Sequence, residues 1–314
     1  RKYRMSKCAM CQMPCSDGEY HAACLRRLSA NLETMHTFPY SAQEQRRQSA
    51  QRAFKMSIQG VQPKLSAALD VKNGIFEIVD KNGTYIIKPA MEYYEQVPEN
   101  EALTMNLAQS AGFDIPPHGL VRSQDGSFSY FVKRFDRRGR GRKVYMEDFA
   151  QLSGEKRDTK YGSSMEKVVK IVDTYCSFPV LEKEKMLRLV LFNFLVGNED
   201  AHLKNFSLYE NAGKLIVLSP GYDLLNTTIV MQGVREELAL PLNGKKNSIK
   251  RDDLFVYLAR ERMSLTARAV EKAAGFMHDR VAEWKTQIDS SFLTEENKAR
   301  YKDVLETRAV RLWG

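Results

Sequence analysis

Nine residues, Gly197-Asn198-Glu199-Asp200-Ala201-His202-Leu203-Lys204-Asn205, gather an acid, an amide, an imidazole and an ammonium directly after the apolar run from Leu189 to Val196. Asp200 and Asn205 stand five apart. That is the spacing at which phosphoryl-transfer enzymes place a carboxylate that receives a hydroxyl proton and an amide oxygen that holds a metal. The plainer reading is a polar helix cap and turn, where Asn and Asp are frequent. Further on, Pro220-Gly221-Tyr222-Asp223 sets a second carboxylate about one hairpin's length from Asn205. An amide and a carboxylate are hard oxygen ligands suited to Mg²⁺ beside a triphosphate. On its own, Asp223 would be a turn residue following Pro-Gly.

Two segments earlier in the chain extend the pattern. Tyr85-Ile86-Ile87-Lys88 ends an apolar strand on a lysine. A cation in that setting is costly to bury unless it meets an anion, either a phosphate or a carboxylate such as Glu101 on the following helix. The alternatives are an exposed edge lysine and, for Glu101, an acid favoured by the first turn of a helix. Ser57-Ile58-Gln59-Gly60-Val61-Gln62-Pro63-Lys64 precedes the first strand. It carries one glycine rather than a G-x-G-x-x-G, yet backbone amides around Gly60 could cradle phosphate; a solvated loop is the other reading.

These residues must be positioned by two kinds of structure. Lys64 to Asp70, Ile75 to Asp80 and Thr84 to Lys88 read as β-prone runs, and Asn73-Gly74 and Asn82-Gly83, strong hairpin signals, predict an antiparallel meander. Helical spacing predicts a helix over Glu99 to Ala111, stopped by Gly112 and Pro116-Pro117. Gly119 to Arg122 and Phe128 to Phe135 read as two more strands. Helices are predicted over Glu19 to Asn31 and Ala42 to Lys55, then over Ser163 to Cys176, Leu181 to Val196, Ser264 to Ile288 and Glu295 to Val310. Short strands are expected at Asn205 to Tyr209 and Lys214 to Leu218. A sheet-rich front half and a helix-rich back half make an α+β chain.

Composition narrows the class. The chain has 314 residues, 43% hydrophobic and 28% charged, which suits a globular protein of one large domain or two lobes. Lys and Arg number 48 against 39 Asp and Glu, a net charge of +9. The basic residues are dispersed apart from Arg134 to Arg142 and Lys245 to Arg251. A solvated basic surface is therefore the simpler reading than a nucleic-acid site. No apolar run reaches the ~20 residues that span a bilayer, and no apolar signal core follows the basic start, so a cytoplasmic location with no membrane contact is expected. Four of the five cysteines are early: Cys8, Cys11, Cys15 and Cys24. Cys8-x-x-Cys11 with His21-x-x-Cys24 has the spacing of a zinc knuckle, and reduced thiols on a short N-terminal helical hairpin are the alternative.

Taken in order, Ser57 to Lys64, Ile86-Ile87-Lys88-Pro89, Asn100-Glu101, Arg134-Phe135-Asp136-Arg137, Gly197 to Ser207 and Tyr222-Asp223 resemble the HipA family of serine/threonine kinase toxins, over about residues 8 to 308. The resemblance implies a two-lobed, protein-kinase-like α+β fold. Its parts would be an N-terminal helical, Cys-containing segment over 1–56, a smaller sheet-rich N-lobe over 57–140 and a helical C-lobe over 141–314. It implies ATP and Mg²⁺, with Asp200 catalytic, Asn205 and Asp223 holding the metal, and Lys88 on the phosphates. Gly60, His202 and Lys204 would lie with the nucleotide, and Lys133 and Phe135 in the hinge that holds adenine. Ser57 falls where family members autophosphorylate.

By the same resemblance the partners are a HipB-like DNA-binding antitoxin and the protein substrate, an aminoacyl-tRNA synthetase; DNA is met only through the antitoxin. Full-length members carry about a hundred further residues before the Cys-rich start, about one small domain. The chain thus resembles the short HipT type, which pairs with a small HipS-like protein and for which tryptophanyl-tRNA synthetase is the implied substrate. Lys133 departs from the family in replacing the expected hinge acid. Two other functions fit some of the same residues: a small-molecule kinase of the aminoglycoside type, and a catalytically silent adaptor of a DNA-bound antitoxin complex. The first usually has His before Gly-Asp, whereas here His202 follows Asp200. The second would bind partners without turning over ATP.

Overall fold

The computed structural model describes residues 6–16, 18–53, 62–139, 142–154, 163–231, 233 and 236–314. It divides into two compact units: Arg1–Asn106 with Ile115–Lys143 and Asp289–Thr294, and Leu107–Asp114 with Val144–Ile288 and Glu295–Gly314.

The first unit opens with a two-stranded hairpin, β1 (Ser6–Lys7) and β2 (Pro14–Cys15), followed by helices α1 (Ala22–Leu28) and α2 (Ala42–Ala53). The helix expected from Glu19 starts later. The Glu19 carbonyl instead accepts a bond from the Ala9 amide, and Tyr20 is buried against the sheet. Strands β3 (Leu65–Asp70), β4 (Ile75–Ile78) and β5 (Tyr85–Lys88), helix α3 (Val97–Ser110), and strands β6 (His118–Arg122) and β7 (Phe128–Lys133) complete the main sheet and its helix. A small ribbon, β8 (Arg137–Arg138) with β9 (Arg142–Lys143), follows.

The sheet is antiparallel throughout in the order β4-β3-β5-β7-β6. This corrects the expected meander, because β5 pairs with β3 rather than with β4. The cause lies in residues 79–84. Val79 N–H still bonds to the Ser66 carbonyl beyond the end of β4, so the chain continues along β3. Asn82, with φ 57°, then turns it back on the other side of β3. Asn73-Gly74 closes β3 to β4 as the spacing predicts. The consequence is that β5, which carries Lys88, is an interior strand. One face of this sheet packs Phe76, Tyr85 and Phe131, with neighbouring ring centroids 5.0–5.1 Å apart and each side chain at most 3% exposed. Burying one such side chain is worth about 2–3 kcal/mol.

The second unit holds β10 (Met146–Asp148), α4 (Phe149–Leu152), α5 (Met165–Tyr175), α6 (Pro179–Val196), β11 (Ser207–Glu210), β12 (Ile216–Leu218), α7 (Thr227–Val230), α8 (Ala267–Ser290) and α9 (Glu295–Trp313). Strands pair in the order β10-β11-β12. Helix α6 is buried around much of its circumference, with Met186, Leu187, Leu191, Phe192, Phe194, Leu195 and Val196 fully enclosed, as a helix at the centre of a helical core must be. Trp284 of α8 meets Phe192 edge-on at 5.4 Å, and its indole N–H donates to Ser110 Oγ at 3.1 Å. Helix α9 lays Tyr301, Leu305, Arg308 and Leu312 on one buried stripe; its arginine is taken up below. Among the described residues, no helix is long and apolar enough to cross a membrane.

Candidate active site

Helix α6 must end before the polar segment begins, and Gly197 ends it. The residue is left-handed, φ 74°, and a Cβ there would lie 2.7 Å from Thr228 Oγ1 and 2.9 Å from Asn226 Oδ1. Both the angle and the space call for glycine. The Gly197 carbonyl then accepts bonds from Thr227 N–H at 2.9 Å and from the Thr227 hydroxyl at 3.1 Å, which fastens the turn to α7.

From this point the loop alternates anchors with an outward-facing acid. Asn198 Nδ2 donates to Asn193 Oδ1 at 3.0 Å, and Asn198 Oδ1 accepts from the Asp200 amide at 3.3 Å. Glu199 turns inward. Its amide donates to Thr227 Oγ1 at 2.8 Å, and its Oε1 accepts from Thr228 Oγ1 at 2.9 Å and from Arg308 Nη2 at 2.7 Å. Arg308 also donates to the Phe194 carbonyl at 2.6 Å. Burial raises the Glu199 carboxyl above the usual range, with Thr228 and Arg308 opposing the shift. The pair is almost dry, with side chains 3% and 7% exposed.

Asp200 points the other way, its side chain 43% exposed and Oδ1 3.9 Å from His202 Nε2. Its carbonyl is engaged instead, accepting from His202 N–H at 2.7 Å and from Asn205 Nδ2 at 2.8 Å. With its NH₂ used in this way, the amide oxygen is the atom by which Asn205 could serve as a ligand. His202 is buried, and Lys204 lies in the single tight turn Leu203–Asn205.

Tyr222 joins this loop to the next. Its hydroxyl donates to the Lys204 carbonyl at 2.9 Å and accepts from Ser207 Oγ at 2.6 Å. Burial pushes the phenol upward, so it remains a neutral donor. Asp223 follows, exposed and left-handed at φ 52°, a conformation that Asp tolerates better than most side chains. Asn198, Ala201 and Asn205 from one loop, with Gly221, Tyr222 and Leu224 from the other, line the same pocket. The loops bearing Asp200 and Asp223 are therefore neighbours. The donors available are a carboxylate, an amide oxygen and a second carboxylate, all hard oxygens of the kind Mg²⁺ takes.

In the first unit, Lys88 and Glu101 are brought together. Nζ donates to Oε1 at 2.6 Å with side chains 6% and 2% exposed, and the ammonium lies 5.7 Å from the centre of the Tyr130 ring. Lys133 ends β7; its amide donates to the Pro117 carbonyl and its ammonium to the Leu28 carbonyl, both at 2.8 Å. Phe135 is half-buried beside Asp136. Burial would raise the Asp136 carboxyl, but Arg134 and Arg137 outweigh it and hold the group low. Ser57 and Gly60 lie outside the described residues.

The sequence reading missed the supports. Glu199, Asn193, Tyr222 and Arg308 carried no assigned role, yet they hold the loop. One signal was present: Arg308 falls on the same stripe of α9 as Tyr301, Leu305 and Leu312, and a cation buried there requires an acceptor.

Known proteins place this arrangement. A candidate kinase of Haemophilus influenzae is 32% identical over 239 residues, covering 71% of this chain and 68% of that protein. The serine/threonine-protein kinase toxin HipA of Shewanella oneidensis is 28% identical over 227 residues, 65% of this chain and 51% of its own length. Apart from the Haemophilus protein, the chain spans about half the length of the curated relatives it matches. Among solved structures, the Shewanella oneidensis HipA in complex with HipB and operator DNA superimposes with a TM-score of 0.66 at 24% identity, over 89% of this chain and 72% of that one. The Helicobacter pylori proinflammatory kinase CtkA does so with a TM-score of 0.54 at 15% identity, over 75% and 90%. The fold is the two-lobed α+β fold of these kinases. A sequence profile of the HipA-like C-terminal domain runs over residues 56–286, taking in both the strand of Lys88 and the loop of Asp200, and by that match this chain belongs to the HipA-like C-terminal domain family.

Proposed function

We propose that the chain transfers the γ-phosphoryl group of ATP to a serine or threonine hydroxyl of a protein and acts as the toxin of a toxin–antitoxin pair. The observation that carries this reading is the loop after α6. It is held by bonds from Asn198 to Asn193, from the Glu199 amide to Thr227 and from Asn205 to the Asp200 carbonyl, while the Asp200 side chain is 43% exposed. Asp200 accepts the proton of the attacking hydroxyl as its oxygen bonds to the γ-phosphorus and the bond to the β-phosphate oxygen breaks, releasing ADP. Asn205 Oδ1 and Asp223 would hold Mg²⁺, which when bound neutralises charge on the triphosphate. Lys88 is assigned to the phosphates, oriented by Glu101. His202 packs beneath Asp200, and Lys204, through its carbonyl, keeps Tyr222 in place. Lys133 and Phe135 are assigned to the adenine end through backbone groups.

The finer assignments rest on the family resemblance. The substrate is an aminoacyl-tRNA synthetase, with the tryptophanyl enzyme first to be tried. The partners are a HipB-like DNA-binding protein and a small HipS-like one, and Ser57 is the site of autophosphorylation. The Shewanella relative's complex with HipB and DNA supports the first partner. The working compartment is the cytoplasm, where ATP and synthetases are found. The test incubates the purified chain with γ-labelled ATP, with and without cell lysate, beside Asp200→Asn. A labelled protein band lost in the variant, with an unchanged melting temperature, is expected. Persisting label in the variant overturns the role of Asp200. Label appearing only in small molecules would favour an aminoglycoside-type kinase, and turnover absent from both proteins a silent adaptor. Phosphopeptide mapping of the chain alone tests Ser57.

A further inference from the structure

The hairpin that opens the first unit has no part in phosphoryl transfer, yet it gathers four metal-binding side chains. Cys8, Cys11, His21 and Cys24 place one ligand atom each within 4.8 Å of all the others. We propose that these four residues form a structural zinc site that locks the N-terminal hairpin onto the main sheet.

Three observations beyond the residue types support this. The first is spacing. Zn–S bonds of about 2.3 Å and Zn–N bonds of about 2.0 Å put the corners of a tetrahedron about 3.5–3.8 Å apart. Cys11 Sγ lies 3.3 Å from His21 Nδ1, and the whole set falls within a slightly loosened version of that figure. All four thiols of the N-terminal segment are free, whereas a disulfide would bring one pair to about 2 Å and leave the histidine without a reason to join.

The second is the histidine's orientation. Its outer nitrogen, Nε2, sits 2.9 Å from the Pro14 carbonyl. A carbonyl only accepts, so Nε2 carries the hydrogen and Nδ1 presents its lone pair to the sulfurs. This is the outer-sphere bond that metal-ligating histidines make.

The third is the turn. Cys8 N–H donates to the Met13 carbonyl and Gln12 N–H to the Cys8 carbonyl, at 2.9 and 2.8 Å; Gln12 takes φ 63°, and the His21 amide points at Cys8 Sγ at 3.4 Å. The chain is thus wrapped around the sulfur of Cys8, with amide hydrogens directed at it. Cys15, also buried, bonds across the hairpin through its carbonyl and stands outside the set.

The wrapped loop is built into the sheet. The Ala9 carbonyl accepts from Leu120 N–H, and Tyr20 O–H donates to the Leu120 carbonyl, each at 2.8 Å. Asn106 of α3 donates to the Met10 carbonyl at 2.8 Å. Gly119 makes room for Met10; a Cβ there would lie 2.7 Å from Met10 Cγ. Three thiolates and one neutral imidazole around Zn²⁺ leave a net charge of −1, and binding releases the three thiol protons.

The test uses the full chain, purified without chelator. Elemental analysis should find about one zinc ion per chain. Cys8→Ser and Cys11→Ser should lose most of it, while Cys15→Ser and Cys176→Ser keep it. Because the first two variants can fail to fold, the wild-type chain is also stripped with chelator under reductant and titrated with Co²⁺. A thiolate-to-cobalt charge-transfer band with the intense visible bands of tetrahedral cobalt, abolished by added Zn²⁺, is the expected result, together with a lowered melting temperature of the stripped chain. Less than about a tenth of an ion per chain after incubation with zinc and no such bands, or a mass two hydrogens light from a disulfide among the four, would overturn the proposal. None of these readouts depends on kinase activity.

Discussion

The two units treat charge in opposite ways. In the first, the lysine ending β5 is enclosed and already paired, its ammonium 2.6 Å from Glu101 with both side chains almost fully buried. In the second, the side chains of Asp200 and Asp223 reach solvent, and their support is enclosed (Glu199, Arg308 and Asn193) or half-buried (Tyr222). A cation that must hold a phosphate can be oriented in advance by a fixed carboxylate. Acids that must receive a proton or a metal have to stay open. On the proposed function, the first pair would bear on both stability and catalysis and the second on catalysis, and separate mutations should tell them apart.

The sharpest break is at Asp200. Asp200→Asn should lower phosphotransfer by about 10²–10⁴-fold while urea midpoints shift little, because the side chain is 43% exposed and the change is isosteric. Lys88→Met should do the reverse in part. Removing one partner of a buried pair costs about 3–5 kcal/mol, read as a drop in unfolding free energy, together with loss of activity. Lys88→Met with Glu101→Met should recover much of that stability and none of the activity. If the double variant is as unstable as the single, Glu101 is not being left as a stranded charge.

His118 sharpens the contrast within the first unit. It is buried at the start of β6, its Nδ1 2.9 Å from the Pro116 carbonyl, and burial, with help from Arg27, depresses its pKa to about 4. A base with a lowered folded pKa takes its proton more readily when unfolded, so stability is complete near pH 7 and is lost as pH falls from about 6.5 towards 4. Between pH 7 and 4.5 the chain should lose about 2–3 kcal/mol more than His118→Gln does, by urea unfolding. The smallest effect is expected at Glu199→Gln, which keeps an acceptor for Arg308 and Thr228. About 1–3 kcal/mol of stability should go, with a fall in turnover rate at unchanged apparent ATP affinity, as suits a positioning residue.

How much of this could be read beforehand depends on the range of the interaction. Lys88 and Glu101 could be suspected because a strand ending on a lysine and a helix starting with acids are local patterns. Asp200, Asn205 and Asp223 were visible as a spacing. The place of β3 between β4 and β5 was not, since it depends on Val79 continuing to bond Ser66 past the end of β4. Nor was the partner of Glu199, which lies more than a hundred residues away on the last helix. Periodicity finds the stripe on α9, but only the folded chain shows what its arginine faces.

That arginine sets a timetable. The loop bearing Asp200 is synthesised about a hundred residues before α9, and its inward acid lacks this counter-ion until residue 308 has left the ribosome and α9 has docked. A nascent chain, or one terminated before α9, would therefore carry that segment without the counter-ion of its inward acid.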